Sequence, residues 1–368
     1  MCGISGILSD SKENMSVVES MVSILDHRGP DSSATFEDSS VVLGHNRLSI
    51  IDLTLKGKQP MSNDKGTIWI TYNGEIYNYL DLRNNLDNSK FKSDTDTEVI
   101  INLYEKYGFE CLKYLNGMFS FAIWDSNKKI LFCARDRFGV KPFYYTLDQN
   151  QFTFSSEIKS ILQSSKSWKN ISTNMLTKFL LHGRLNEGNK TFFKDIYELE
   201  PSHYAIIRIQ NGKVRFVKKK YYCIKIRNSK PSVKLFDTLL RNSVDLRLRS
   251  DVPVGLLLSG GIDSSSLAYY IKNSEEAKEV HYFTSVSSDK KTDESAYAMQ
   301  VSEHLGINCT KVYSKFDTLI NELDRVTHSL EQPVPGSSVV SHYNLMKQIN
   351  KEKIKVVLHG QGADEILA

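Results

Sequence analysis

The chain has 368 residues, 40% hydrophobic and 24% charged, an ordinary globular composition large enough for two separate cores. Lys and Arg number 47 against 43 Asp and Glu, and the net charge of +4 gives no case for nucleic acid or a membrane as partner. Five scattered cysteines without a CxxC pair argue against a disulfide framework or a zinc site. The amino terminus lacks a signal-like n-region and no apolar run reaches spanning length, so the sequence reads as a soluble cytoplasmic protein.

Up to about residue 155, short β-rich runs alternate with turns: Ile68 to Tyr72, Phe119 to Trp124, Ile130 to Ala134 and Phe152 to Phe154. Asp125 to Lys128 reads as a hairpin turn between two of them. Val17 to Leu25 and Thr97 to Tyr107 carry helical periodicity, giving layered α and antiparallel β. A mixed helical stretch covers about Glu157 to Leu181, and Asn211-Gly212 marks a second hairpin between Tyr204–Ile209 and Val214–Val217. The polar, turn-forming segment Arg227 to Ser232 lies near the domain boundary, and the expected domains are residues 1–218, with a connecting segment, and 219–368. Beyond it the rhythm changes. Val233 to Arg249 reads as an amphipathic helix, Val254 to Leu258 as a buried parallel strand, and Val280 to Val286 and Lys355 to Leu358 as further strands, with Glu294 to Leu305 as an intervening helix. This is the pattern of a doubly wound α/β sheet.

The string Ser259-Gly-Gly-Ile-Asp-Ser-Ser265 lies between a buried strand and a helix. Backbone N–H groups of Ser259, Gly260 and Gly261 and the helix N-terminus make an anion cradle, Ser264 and Ser265 add hydroxyls, and Asp263 suits Mg2+. No Walker lysine is present. The string resembles the pyrophosphate-binding signature of ATP pyrophosphatases. A second strand runs into His359-Gly-Gln-Gly-Ala-Asp364, which in such a sheet faces the first loop and makes Asp364 a second Mg2+ or pyrophosphate ligand, or simply a helix cap. Leu257 and Ser285, at strand ends, sit where backbone groups could meet adenine.

Removal of Met1 would leave Cys2 with both a thiol and an α-amine whose ordinary pKa, about 7.7 to 8.0, suits a general base near neutrality. Cys2-Gly-Ile-Ser-Gly6 is followed by His27-Arg-Gly-Pro-Asp31, Gly44-His-Asn-Arg-Leu-Ser-Ile50, Tyr72-Asn-Gly-Glu-Ile-Tyr77 and Ser93-Asp-Thr-Asp-Thr-Glu-Val99. This ordered set resembles class II glutamine amidotransferase domains. With the second-half motifs, the whole chain resembles the glutamine-hydrolysing asparagine synthetase family.

The resemblance implies an N-terminal-nucleophile αββα sandwich followed by an incomplete ATP-pyrophosphatase domain. It implies a Cys2 nucleophile, an oxyanion site from Asn73 and the Gly74 N–H, and a glutamine site from Arg47, Leu48, Ser49, Ile50, Ile51, Glu75 and Asp96. Arg47 suits the substrate α-carboxylate and Asp96 its α-ammonium. Local alternatives exist: Arg47 as a structural ion pair, Asn73-Gly74 as a type I′ turn, Asp96 as a helix N-cap. Arg135-Asp-Arg-Phe-Gly-Val-Lys-Pro-Phe-Tyr-Tyr145 follows a family pattern and reads as scaffold.

The implied reaction uses glutamine, ATP and Mg2+ to amidate a carboxylate, aspartate first, with AMP and pyrophosphate released. Relatives often form homodimers. His359 and Gly360 fall on ATP-contacting positions, and Gln361 stands where asparagine synthetases often carry a Glu that activates the acceptor. A sugar acid or other carboxylate therefore stays open as acceptor, as does a non-catalytic glutamine- and nucleotide-binding module. The family continues beyond the position of Ala368, so residues 1–368 are expected to hydrolyse glutamine and make little amide product.

Overall fold

The computed structural model describes residues 1–11, 14–86, 91–164, 170–225, 232–287, 290–291, 293–314 and 319–367. Two compact units divide the chain, Met1–Ile226 and Arg227–Ala368. Residues 227–231 of the expected boundary segment, and 165–169 of the mixed helical stretch, lie outside the described residues.

In the first unit, two six-stranded sheets stack between helices. One runs from edge to edge through Ile196–Glu198, Tyr144–Leu147, Gln151–Ser155, Gly3–Ser9, Val41–Arg47 and Ser32–Asp38. The other runs through Lys213–Lys220, His203–Gln210, Ile130–Arg135, Gly117–Asp125, Ile68–Ile76 and Met61–Ser62. Every pairing within these sheets is antiparallel.

Alternation along each strand decides the layering. Ile4, Leu8 and Leu43 of the first sheet meet Ala122, Trp124 and Leu131 of the second in one inter-sheet core. The opposite face of the first sheet covers Val18 and Met21 of the Asn14–Ile24 helix, while Ile70 and Tyr72 cover Val99, Ile100 and Leu103 of the Asp96–Tyr107 helix. The result is the αββα sandwich. Polar links also cross between the sheets: the Thr71 hydroxyl donates to Gly44 O at 2.9 Å, and the Trp124 indole N–H donates to Asp38 at 2.7 Å.

The Gly3–Ser9 strand is central, paired on both sides and buried along its whole length. Position 2 is consequently the first residue before a fixed strand, although it lies almost at the chain terminus.

In the second unit, four parallel strands lie in the order Cys309–Ser314, Val280–Ser287, Val254–Leu257, Val356–Leu358. Leu256 and Tyr282 pack with Val244, Ala268, Ile271 and Ala298 on one face, and Phe283 and Val312 with Leu345 and Ile349 on the other. Helices therefore cover both faces of a doubly wound sheet. In chain order the strands run third, second, first, fourth, which places the topological switch between Val254–Leu257 and Val356–Leu358. Their two following loops emerge side by side at the carboxyl ends.

Candidate active site

Cys2 is half-buried, with its Sγ 3.4 Å from the Leu48 N–H and 3.7 Å from the Leu48 carbonyl. Leu48 directly follows the Val41–Arg47 strand, whose pairing to Gly3–Ser9 sets this contact. Ser49 N–H donates to Asp31 at 2.7 Å, fixing the next turn. Around the terminus, burial pushes the Met1 α-amine down to about 5; the Cys2 charge opposes this and the Arg28 and Lys141 charges add to it. An amine so lowered is neutral at physiological pH.

Asn73 and Gly74 lie inside the Ile68–Ile76 strand, paired with Ser120 and Phe119, so the type I′ turn reading is corrected. The strand's edge is instructive. Tyr72 N–H donates to Gln59 Oε1 and Ile76 N–H to Asp96 Oδ2, both at 2.8 Å. Gly74 lies between them at period two and turns its own N–H to the same edge. The Asn73 side-chain nitrogen is buried and has no hydrogen-bond partner among the described residues. A buried, unused donor of this kind is costly unless something negative is meant to meet it.

Arg47 is buried and donates to the carbonyls of Thr54, at 2.7 Å, and Asp52, at 2.5 Å. These bonds to neutral carbonyls leave guanidinium valence for an anion. Asp52 in turn accepts from the Thr54 N–H and the Asp94 N–H, both at 3.0 Å. Burial works against its ionisation, but the Thr54 and Asp94 hydrogen bonds outweigh that and hold the carboxyl below its usual range.

Asp96 opens the Asp96–Tyr107 helix as its first residue; the N-cap is Thr95, whose hydroxyl accepts from Glu98 N–H, which corrects the cap reading of Asp96. Its Oδ2 takes the Tyr72 hydroxyl at 2.7 Å and the Ile76 N–H. Burial raises its pKa, opposed by those hydrogen bonds. Glu75 is buried on the same strand.

The Arg135–Tyr145 segment is tied down by bonds within it and to Leu199. Arg135 donates to the carbonyls of Lys141, Leu199 and Gly139 at 2.6 to 2.7 Å, and Asp136 accepts the N–H groups of Phe138, Val140 and Lys141 at 3.0 Å.

In the second unit, Gly261 caps the Ile262–Lys272 helix without a side-chain bond, so the first-turn N–H groups stay open. Gly260 holds φ +85, and a Cβ there would stand 2.5 Å from Tyr297 backbone; only glycine fits. The Ser264 hydroxyl is spent inside the loop, accepting from Ser259 N–H at 3.2 Å and donating to Gly261 O. Ser265 Oγ is buried without a partner among the described residues.

Gly360 lies against this loop: a Cβ on it would stand 2.9 Å from Asp263 Cβ and 3.1 Å from Ser264 N. The His359–Asp364 loop thus faces the cradle. Leu257 and Ser285 are half-buried on adjacent strands, whereas His359, Gln361 and Asp364 are exposed. Among the described residues no three His, Cys, Asp or Glu side chains gather as a metal site, so Asp263 and Asp364 stand without a third such ligand.

The sequence reading missed Asp52, Gly57, Gln59 and the hydroxyl of Tyr72. A Cβ on Gly57 would meet Arg47 Nη2 at 2.0 Å, which ties that glycine to the guanidinium. The available signal was weak: GKQP reads as a plain turn.

The glutamine amidotransferase domain family matches residues 1–222 and the asparagine synthase family residues 235–368. Over 100% of this chain, the provisionally named glutamine-hydrolyzing asparagine synthetase 2 of Methanocaldococcus jannaschii is 36% identical, with 75% of that protein covered. The glutamine-hydrolyzing asparagine synthetase 1 of Bacillus subtilis is 35% identical over 100% of this chain and 58% of its own length. Amidase chry2 of Gibberella zeae is 31% identical over 99% of this chain and 59% of its own length. The chain thus spans between about three fifths and three quarters of these relatives. With an amidotransferase domain followed by an asparagine synthase domain, it belongs to the glutamine-hydrolysing asparagine synthetase family.

Proposed function

We propose that this protein takes nitrogen from glutamine and places it on a carboxylate, aspartate in the first instance, with ATP converted to AMP and pyrophosphate. The observation that carries the reading is the unpartnered, buried amide nitrogen of Asn73 on the strand that also presents the Gly74 N–H. With Met1 removed, the α-amine of Cys2 itself, ordinarily with a pKa of about 7.7 to 8.0 and so partly neutral near pH 7, takes the thiol proton, and the thiolate attacks the glutamine side-chain carbonyl. Charge then builds on the carbonyl oxygen, where Asn73 and Gly74 meet it. Ammonia departs with the proton, and water releases glutamate from the thioester. Arg47 and Asp96 hold the two ends of the amino-acid moiety, and Glu75 helps to orient it.

In the second unit, the Ser259–Ser265 loop would take the ATP phosphates, with Leu257, Ser285, His359 and Gly360 around the nucleotide. Asp263 and Asp364 offer the hard carboxylate oxygens that suit Mg2+, which would neutralise phosphate charge. Gln361, neutral and exposed in the facing loop, favours a second reading in which the acceptor is another acid such as a sugar carboxylate.

The test, made on the full-length protein, is acceptor-dependent formation of AMP and pyrophosphate, with glutamine as nitrogen donor, across aspartate and a panel of sugar acids. Turnover with aspartate supports the first reading, and turnover only with another acid supports the second. Absence of AMP with every acid, together with no glutamate release, would refute both.

A further inference from the structure

Three groups lie beyond the roles assigned above: Arg28, Glu157 and Lys159. The Arg28 side chain, 7% exposed, donates from Nε to the Cys2 carbonyl at 2.9 Å and from Nη1 to Glu157 Oε1 at 2.8 Å. Glu157, 10% exposed, also receives Lys159 Nζ on Oε2 at 2.7 Å and faces the half-exposed His27 at 3.0 Å. Arg28 Nη2 is buried and has no partner among the described residues, which leaves the bonds at Nε and Nη1 to set the guanidinium plane.

A residue next to a chain end tends to fray, because only one side of it is held. Cys2 faces that problem as the proposed nucleophile. Its strand is anchored to the segment that carries Glu157: Ser5 pairs with Ser155, Ser156 N–H donates to Ile4 O at 2.9 Å, and Ile4 N–H donates to Ser156 Oγ at 3.0 Å. Arg28 extends that anchorage by one residue, from Glu157 to the Cys2 carbonyl. A planar guanidinium held at two of its nitrogens has less freedom to turn than one held at a single nitrogen.

We propose that Glu157 is a positioning residue for Cys2, acting through Arg28 to fix the first peptide plane and thereby the aim of the thiol. This rests on the reading of Cys2 as the glutaminase nucleophile. The side chains proposed to hold glutamine are fixed elsewhere, Arg47 by the carbonyls of Thr54 and Asp52 and Asp96 by the Tyr72 hydroxyl and the Ile76 N–H, so the effect falls on the chemical step and leaves binding intact.

The experiment compares glutamate release by the wild-type chain and by Glu157→Ala, Glu157→Gln and Arg28→Lys, with a melting curve for each. Iodoacetamide alkylation of Cys2 serves as a control that needs thiolate and no aim. Glu157→Ala and Arg28→Lys should lower kcat about tenfold or more, since a misplacement near 1 Å costs up to roughly a hundredfold. KM for glutamine should stay within about twofold, and alkylation within about threefold. Glu157→Gln, which keeps an acceptor for Nη1, should recover at least about threefold over the alanine variant.

If folded Glu157→Ala keeps wild-type kcat, or if KM rises while kcat holds, the proposal is overturned. Should Glu157→Ala not fold, wild-type kcat in Arg28→Lys would overturn it equally, because that change keeps the charge and removes the fork. Loss of stability alone, with unchanged kcat in the folded fraction, also counts against it. Failure of the underlying reading looks different: the wild-type chain would release no glutamate, or Cys2→Ala would release as much.

Discussion

His45 should make the first unit acid-sensitive. Its ring lies between the two sheets, fully buried, with Nδ1 3.2 Å from Thr71 Oγ1. The Thr71 hydroxyl has one proton and gives it to Gly44 O at 2.9 Å, so Oγ1 accepts from His45 Nδ1–H. Nε2 is then a bare lone pair, buried and without a partner among the described residues. Burial, with the Arg47 charge adding to it, pushes the imidazole pKa from 6.5 to about 3.

A depressed histidine pKa means that the unfolded chain binds the extra proton in the window between those values. The stability that neutral His45 permits is complete above pH 6.5, falls as pH drops below it, and levels off near 3. At pH 5, some 1.5 units below the unfolded value, the loss is about 2 kcal/mol. Urea unfolding of the parent and of His45→Gln at pH 8 and pH 5 measures it. Trp69 and Trp124 lie on strands of the first unit, so the change in tryptophan fluorescence follows its unfolding. The parent should lose about 2 kcal/mol more than His45→Gln between the two pH values. Equal losses, within about 0.5 kcal/mol, would refute a neutral buried imidazole.

Three further outcomes bear on the glutamine site. Asn73→Ala should lower kcat for glutamine hydrolysis by roughly 10² to 10³ while KM changes little, and a fall under about fivefold in steady-state kinetics would remove Asn73 from the oxyanion role. Tyr72→Phe deletes a donor that lowers the Asp96 pKa, so the carboxyl should protonate at higher pH. The rise of glutamine KM on acidification should then begin nearer neutrality, and KM measured from pH 5 to 8 with an unmoved acid limb would contradict the Tyr72–Asp96 bond. Gly57→Ala should push the Arg47 guanidinium aside and raise KM about tenfold or more, with kcat and melting temperature nearly unchanged; a wild-type KM would show that the arginine is not held as described.

Much of the fold was legible because periodicity and burial agree. The Asp96–Tyr107 helix, the Asn211-Gly212 hairpin and the first parallel strands carried their patterns openly. The Cys309–Ser314 strand did not: CTKVYS mixes polar residues at the sheet edge, where only one neighbour and the inward Val312 define it. Asn73-Gly74 looked like a turn because that dipeptide favours one locally, yet an unbroken ladder from Ile68 to Ile76 keeps it extended. The cap of the following helix was present in the sequence as Thr95-x-x-Glu98, with Glu98 accepting Ser93 N–H at 2.8 Å, and it assigns Thr95 ahead of Asp96.

Single-residue chemistry was easier to read than the partners that tune it. Arg47 and Asp96 could be named from residue type and motif, but nothing local shows that Asp52 joins both: its backbone carbonyl receives Arg47 and its Oδ2 receives Asp94 N–H at 3.0 Å, two residues ahead of Asp96. Such a link spans 42 residues and exists only once two sheets and a loop have closed on one another. The same holds for Glu157, 129 residues from Arg28 in sequence. A motif records groups that touch a ligand, since those must be of one chemical type. The groups that aim them need only reach, and reach is a property of the folded chain; this is why a turn glycine such as Gly57 can govern an arginine ten residues before it while leaving no signature of its own.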